Sequence, residues 1–205
     1  MDRSCAHGEE SFGLVKSRLY ALTARWRRKF IHFVANDVKS RNPESVLDVG
    51  CGTGEILSML RNLEIELYGI DPSPFMLELA EKKIRKANPT SKPSRVHLSQ
   101  GNSKLIPFAR KFDIIFSSLS FHHWNDRDES IPNILERLNE NGEFVIYEYD
   151  REAMSYMRGL IAGKHALSEA DVKGLTFNGY SKRVERNGSI IIVSFKKTTN
   201  QFIIN

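Results

Sequence analysis

The sequence predicts an α/β fold: a doubly wound, mostly parallel sheet with helices on both faces and one antiparallel strand from a C-terminal hairpin. Three observations predict it. Five strand-like runs are interleaved with helical patterns along most of the chain. A glycine-rich turn, Gly50-Cys51-Gly52-Thr53-Gly54, joins the first run to the helix that follows. Near the C-terminus Asn187-Gly188 separates two further strand-like runs, and Asn-Gly between such runs is a strong local hairpin signal. Five strands and a hairpin make seven.

Each element follows from spacing. Residues 14–38 read as a long helix, with Leu19, Leu22, Trp26, Phe30 and Phe33 three or four apart, and Asn42-Pro43 ends it. Residues 45–49 read as a short strand buried on both faces. A helix is expected over 55–63 and a second strand over 66–70. Ser73 suits a helix N-cap and Pro74 the first helical position; Met76, Ala80 and Ile84 then form an apolar stripe. Residues 96–99 and 112–116 read as the third and fourth strands. Ile131, Ile134, Leu135 and Leu138 follow the period of an amphipathic helix, which Asn141-Gly142 is expected to stop. Residues 144–149 read as the fifth strand and 152–161 as another helix. Residues 175–184 and 189–195 are the arms of the hairpin.

Composition bounds the class. The chain has 205 residues, 40% of them hydrophobic and 27% charged, with 13 Gly and 7 Pro, which excludes collagen-like and disordered chains. A chain of this length buries about 70% of its unfolded surface in one domain. We therefore expect a single domain over 1–205: a helical arm or lid at 1–41, a core at 42–197 and a tail at 198–205. Two cysteines, Cys5 and Cys51, make neither a disulfide framework nor a metal-site spacing, so no metal is expected. No apolar run reaches the ~18–20 residues of a membrane helix, and residues 1–11 lack an apolar signal core. A cytoplasmic protein is the expectation. The net charge of +5 leans only slightly toward anionic partners.

The stretch Val46-Leu47-Asp48-Val49-Gly50-Cys51-Gly52-Thr53-Gly54-Glu55 runs strand, glycine turn, helix, an arrangement that brings backbone amides close to a nucleotide-type ligand. The spacing is G-x-G-x-G rather than the G-x-G-x-x-G of dinucleotide sites, and no G-K-[ST] phosphate loop is present. Asp48 and Glu55 flank the loop and would repel a pyrophosphate. A ligand with an ammonium and a sulfonium fits that rim better, and S-adenosylmethionine is such a ligand. At the end of the second strand Asp71 lies 17 positions after Gly54, where a carboxylate can accept from both hydroxyls of a ribose. Locally, Asp71 before Pro72-Ser73-Pro74 also reads as a turn-forming aspartate.

With Asp71, the run from Asp48 to Gly54 resembles the class I S-adenosylmethionine-dependent methyltransferases. The resemblance continues over residues 42–197. Gly101-Asn102-Ser103 with Ile106-Pro107-Phe108 resembles the loop that holds the adenine, with Asn102 where the family commonly has Asp. Residues 112–118 resemble the fourth-strand motif, Asn141-Gly142-Glu143 replaces a Gly-Gly turn, and the hairpin matches the antiparallel seventh strand of this Rossmann-like fold. The pattern is similar to the branch near ubiquinone and menaquinone biosynthesis methyltransferases, the type 11 group. The resemblance implies cofactor binding by Asp48, Gly50, Cys51, Gly52, Gly54, Asp71, Pro72, Asn102, Ser103 and Ser118, with S-adenosyl-L-homocysteine as product.

Methyl transfer from a sulfonium is an in-line displacement, to which the protein contributes alignment and a water-poor site. A base is needed only where the acceptor must first lose a proton. His122 and His123, after the fourth strand, are the candidate bases; a helix cap or packing under Trp124 is the alternative role. Glu148 and Tyr149 on the fifth strand are further candidates. Cys51 reads as a small loop residue rather than a nucleophile. A small-molecule acceptor is expected. An RNA methyltransferase is the alternative, favoured by the basic run at residues 25–29, but Ser117-Ser118-Leu119-Ser120 stands where base-amine enzymes carry an Asn/Asp-Pro-Pro-Tyr type of sequence. A cofactor-binding partner subunit without catalysis is a third reading. The oligomeric state is left open by the sequence.

Overall fold

Residues 27–87, 95–153 and 166–198 are described by the computed structural model of the chain. Helix α1 (Arg28–Ser40) buries Phe30, Ile31, Val34, Ala35 and Val38, positions recurring at helical spacing on one side. Burying the four larger of these contributes about 1.5–3 kcal/mol each before entropy is counted. The helix ends where Asn42 turns left-handed (φ 49°), a conformation Asn tolerates, just before Pro43. Its expected start at residue 14 lies outside the described residues.

Strand β1 (Ser45–Val49) is buried on both faces, as its unbroken apolar run requires. The alternation continues through α2 (Glu55–Leu60), β2 (Glu66–Asp71), α3 (Pro74–Ala87), β3 (Val96–Gln100), β4 (Phe112–Ser118) and a 3-10 turn at Phe121–His123. Then come α4 (Arg127–Glu136), β5 (Leu138–Asp150), β6 (Ala166–Leu167), α5 (Glu169–Lys173), β7 (Tyr180–Asn187) and β8 (Ile190–Lys197). The strand order is β3-β2-β1-β4-β5-β8-β7, with the two-residue β6 beside the end of β5. Strand β8 runs antiparallel to both β5 and β7; the other pairings are parallel. The seven expected strands are all present, and β6 is an eighth. No described helix is long and apolar enough to cross a membrane.

The sheet separates two cores. Residues of α1, α2 and α3 pack with Val46, Leu67, Ile114, Phe116, Val145 and Tyr147 on one face. Ile131, Ile134 and Leu135 of α4 pack with Leu47, Ile70, Ile115, Phe144 and Ile146 on the other. A polar network ties α1 to β5 across the first core. The Tyr147 hydroxyl donates to Asp37, and Arg41 bridges Asp37 (2.9 Å) and Glu143 (2.6 Å).

Four local expectations change. The stripe ending at Leu138 stops being helical at Glu136, and Leu138 opens β5 opposite Phe112. Asn141-Gly142 is an irregularity inside β5 rather than a helix stop. The register jumps from Phe112↔Leu138 to Ile114↔Glu143, and a Cβ on Gly142 would sit 2.8 Å from the Phe112 carbonyl oxygen. The hairpin arm expected from residue 175 begins at Tyr180, because Gly179 at φ 81° breaks the extended run. Glu152 and Ala153 lie in a turn, and the rest of the helix expected over 152–161 lies outside the described residues. The hairpin itself closes on Gly188-Ser189, with Gly188 at φ 58° as the first central residue.

Candidate functional site

The loop after β1 is held from below. The N–H groups of Gly50 and Cys51 both donate to the Ile70 carbonyl (2.8 and 2.9 Å). The Gly52 N–H donates to Asp71 Oδ2 at 2.9 Å, and the Ser73 N–H to Asp71 Oδ1 at the same distance. Gly50, Gly52 and Gly54 all have positive φ (81°, 53° and 67°). A Cβ on Gly50 would come within 2.1 Å of Ser120 Oγ, and one on Gly54 within 2.9 Å of Ala80. The fold alone therefore requires two of these glycines, and their number is a weaker ligand signal than the bare motif suggests.

The three carboxylates near the loop differ in state. Asp48 is buried at the end of β1, and its Oδ1 has no hydrogen-bond partner among the described residues. Burial, with Asp71 adding repulsion, pushes its carboxyl well above the usual range. Asp71 instead grips the loop and the turn into α3 through both oxygens. Glu55 is balanced: Lys83 Nζ lies 2.9 Å from one oxygen and Arg27 3.7 Å from the other. The negative rim read from Asp48 and Glu55 is thus partly compensated by two cations, Arg27 just before α1 and Lys83 on α3. Burial likewise raises the Cys51 thiol well above its ordinary value, so it stays protonated, in keeping with a packing role.

Beside the loop lies a cavity of about 350 Å³, counting the solvent at its mouth, near the lower end for small-ligand sites; Gly52, Gly54, Asp71 and Lys83 are not among its lining residues. Asp48, Gly50, Cys51 and Ser118 line it, together with Arg27 just before α1, Ile31 from α1, Thr53, Glu55, Ile56 and Leu119. Val46, Ile114 and Phe116 belong to the α1-side core, so by strand alternation Asp48 and Ser118 continue that face. Leu119 is left-handed (φ 51°), a strained state for a leucine, and its N–H donates to the Tyr147 carbonyl at 3.0 Å. It turns the chain over the carboxyl edge of the sheet. Ser120 Oγ then donates to the Val49 carbonyl at 3.0 Å, which locks the β4 loop onto the glycine loop.

The remaining candidates lie around this centre. Asn102 Oδ1 accepts from the N–H groups of Lys104 and Leu105, closing its own turn. Ser103 is buried against α4, its hydroxyl 2.8 Å from Ser130 Oγ and its carbonyl accepting from Asn133. The Pro72 carbonyl accepts from Gln100 at 3.1 Å. The rings of His122 and His123 pack against each other, tilted by 47° with centres 4.0 Å apart. His122 Nδ1 lies 3.1 and 3.2 Å from the two oxygens of Glu148, which is completely buried. Phe144 and Ile146 belong to the α4-side core, and Glu148 continues that face. Cavity and His122–Glu148 pair therefore flank the same sheet edge from opposite sides. Tyr149 packs on Phe30 of α1 with ring centres 5.0 Å apart.

Sequence reading missed Arg27, Ile31 and Lys83 as site residues. Their only local signal is a place on helix faces, and partnership with Glu55 needs the assembled fold. Ser120 was also missed. The small side chains of Ser117, Ser118 and Ser120 are the visible trace of a crowded crossing.

A methyltransferase-domain family model matches residues 40–197. The demethylmenaquinone methyltransferase of Thermotoga maritima is 28% identical over 132 residues, covering 63% of this chain and 52% of that protein. The chain spans about half the length of the first curated relatives it matches. A protein of Methanococcus maripaludis described as an S-adenosyl-L-methionine-dependent methyltransferase superposes with a TM-score of 0.77 at 18% identity, covering 98% of this chain and 100% of that one. The plantazolicin methyltransferase BpumL, solved with S-adenosylhomocysteine, gives 0.71 at 15% identity over 91% of each chain. At such identities the likeness is one of fold.

Proposed function

The chain belongs to the methyltransferase-domain family, and from that premise we propose that it transfers a methyl group from S-adenosylmethionine to a small-molecule acceptor. The observation that carries the cofactor assignment is the buried oxygen without a partner on Asp48, a residue that lines the cavity beside the glycine loop. Arg27 lines the same cavity. One buried carboxylate and one guanidinium facing a common space are the pair that an amino-acid headgroup, with its ammonium and carboxylate, requires. The residues present thus fit the cofactor.

In this reading Asp48 takes the ammonium and Arg27 the carboxylate of the methionine moiety. The backbone of Gly50, Cys51, Gly52 and Gly54 gives close approach without Cβ atoms. Asp71 accepts from the ribose beside the N–H groups of Gly52 and Ser73, since a carboxylate has about four acceptor sites. Pro72, Asn102 and Ser103 shape the adenine side, and Ser118 borders the methyl side. When bound, the cofactor supplies an electrophilic methyl on a good leaving group. What the chain does is align the acceptor, exclude water and, where the acceptor needs it, remove a proton through His122 or His123. The name of the Thermotoga relative supports a small organic acceptor. The buried thiol of Cys51 suits a reducing cytoplasm.

Thermal melting with added ligand tests the assignment. At 100 times its dissociation constant a ligand stabilises by ~2.7 kcal/mol, roughly 5–11 °C for a chain of this size. S-adenosylmethionine and S-adenosylhomocysteine should both give such a rise, and NAD none. A rise with NAD alone would sink the assignment.

A further inference from the structure

Glu148 has no exposed surface, and the hydrogen-bond partners of its carboxylate among the described residues are all on His122. The main-chain N–H of His122 donates to Oε1 at 3.3 Å, and the ring Nδ1 lies within 3.2 Å of both oxygens. His122 itself keeps only 9% of its side-chain surface exposed. A carboxylate taken wholly out of water is costly, and an apolar residue of similar volume is often the more stable occupant. Glu148 continues the row of Phe144 and Ile146, where an apolar side chain would simply extend the core. The pair is therefore poorly explained by stability alone.

Its geometry does explain a chemical role. A carboxylate oxygen accepts, so the contact of both Glu148 oxygens with Nδ1 favours the ring form that carries its proton there and its lone pair on Nε2. Main-chain and ring contacts together hold one rotamer. His122 also lies two residues beyond Ser120, whose hydroxyl is pinned to Val49 over the glycine loop, and three beyond the cavity wall at Leu119.

We infer that Glu148 is the positioning residue for His122 as general base, and that the acceptor is a weakly acidic hydroxyl. The inference rests on the methyl-transfer reading above. A hydroxyl of phenol-like acidity, with a pKa near 10, keeps its proton at neutral pH. It therefore gains from a positioned general base. A thiol ionises far more readily and gains little. In the step, the acceptor O–H bond breaks and its proton goes to His122 Nε2. The oxygen electron pair forms the O–CH₃ bond as the C–S⁺ bond breaks, and that bond's electrons neutralise the sulfur. The imidazolium formed faces Glu148, which stabilises its charge.

The test uses the full chain, S-adenosylmethionine, and catechol and thiophenol as matched probes that differ in the attacking atom. His122→Ala should lower the rate of catechol methylation at least 100-fold, the lower range for removing a general base. Glu148→Gln should lower it at least tenfold and displace its pH profile. Thiophenol methylation should stay within threefold in both variants. Independently of any variant, the ¹⁵N spectrum of the wild-type chain should show His122 protonated on Nδ1 when neutral. A neutral ring protonated on Nε2 overturns the assignment, as does equal catechol methylation by wild type and His122→Ala. No transfer to catechol overturns the acceptor class. Each of these is read on protein that binds S-adenosylhomocysteine in the melting assay. A chain that binds neither cofactor form fails the earlier reading instead.

Discussion

Replacing Asp71 by alanine should damage the fold as well as ligand binding. Its two oxygens accept from the Gly52 and Ser73 N–H groups, both at 2.9 Å and both buried. Alanine leaves two buried donors unsatisfied. Each such orphan costs about 1–3 kcal/mol, so the ligand-free protein should lose roughly 2–6 kcal/mol. For a chain of this size 1 kcal/mol corresponds to about 2–4 °C, so the melting temperature should fall by no less than ~4 °C. The assay is thermal and urea unfolding without ligand, run beside Asp71→Asn, whose carboxamide oxygen can retain one of the two bonds and should lose about half as much. A ligand-free Asp71→Ala protein that melts within 2 °C of wild type would refute the clamp. Asp71 would then act on the ligand alone.

Two other perturbations follow from the charged groups. Burial holds the Asp48 carboxyl well above its usual range, and an ammonium beside it favours the ionised form. Cofactor binding should therefore release a proton from Asp48, and affinity should rise with pH up to the raised pKa. Titration calorimetry in buffers of different ionisation enthalpy should show this release for wild type and not for Asp48→Asn; buffer-independent heats in wild type count against it. Burial opposes ionisation of Asp113, but hydrogen bonds from Asn139, the Ser45 hydroxyl and the main chain of Ser45 and Glu44 outweigh it and hold the carboxyl below its ordinary value. A depressed folded pKa contributes stability above the unfolded pKa of about 4 and loses it as pH falls through the lower folded value. The urea midpoint of wild type should drop between pH 5 and 3 more steeply than that of Asp113→Asn. Equal slopes would remove Asp113 from the acid response.

Much of the fold is legible because periodicity is local. The run at residues 45–49, the Pro74 helix start and the Asn-Gly hairpin each carry their own signal within a few residues, and each appears within one or two positions of its expected place. The misses fall where a neighbour decides. Leu138 fits a helical stripe equally well, but Phe112 opposite it draws it into β5. Helix α5 was overlooked although Ser168 and Asp171 form a capping box, because five residues are too few for a period to show.

The site divides in the same way. By itself the sequence determined the strand–glycine loop–helix unit, the acid at the end of β2 and the histidines after β4, since each is a matter of residue type and short spacing. Only the tertiary structure decided their states. Glu55 is matched by Arg27 and Lys83, each 28 residues away, and Asp48 is left buried and unmatched. Asp71 is engaged by the loop it was expected to face, and His122 meets Glu148 across 26 residues. A carboxylate's charge depends on how much water it loses and which partners arrive, and both are set by how distant segments meet at one sheet edge.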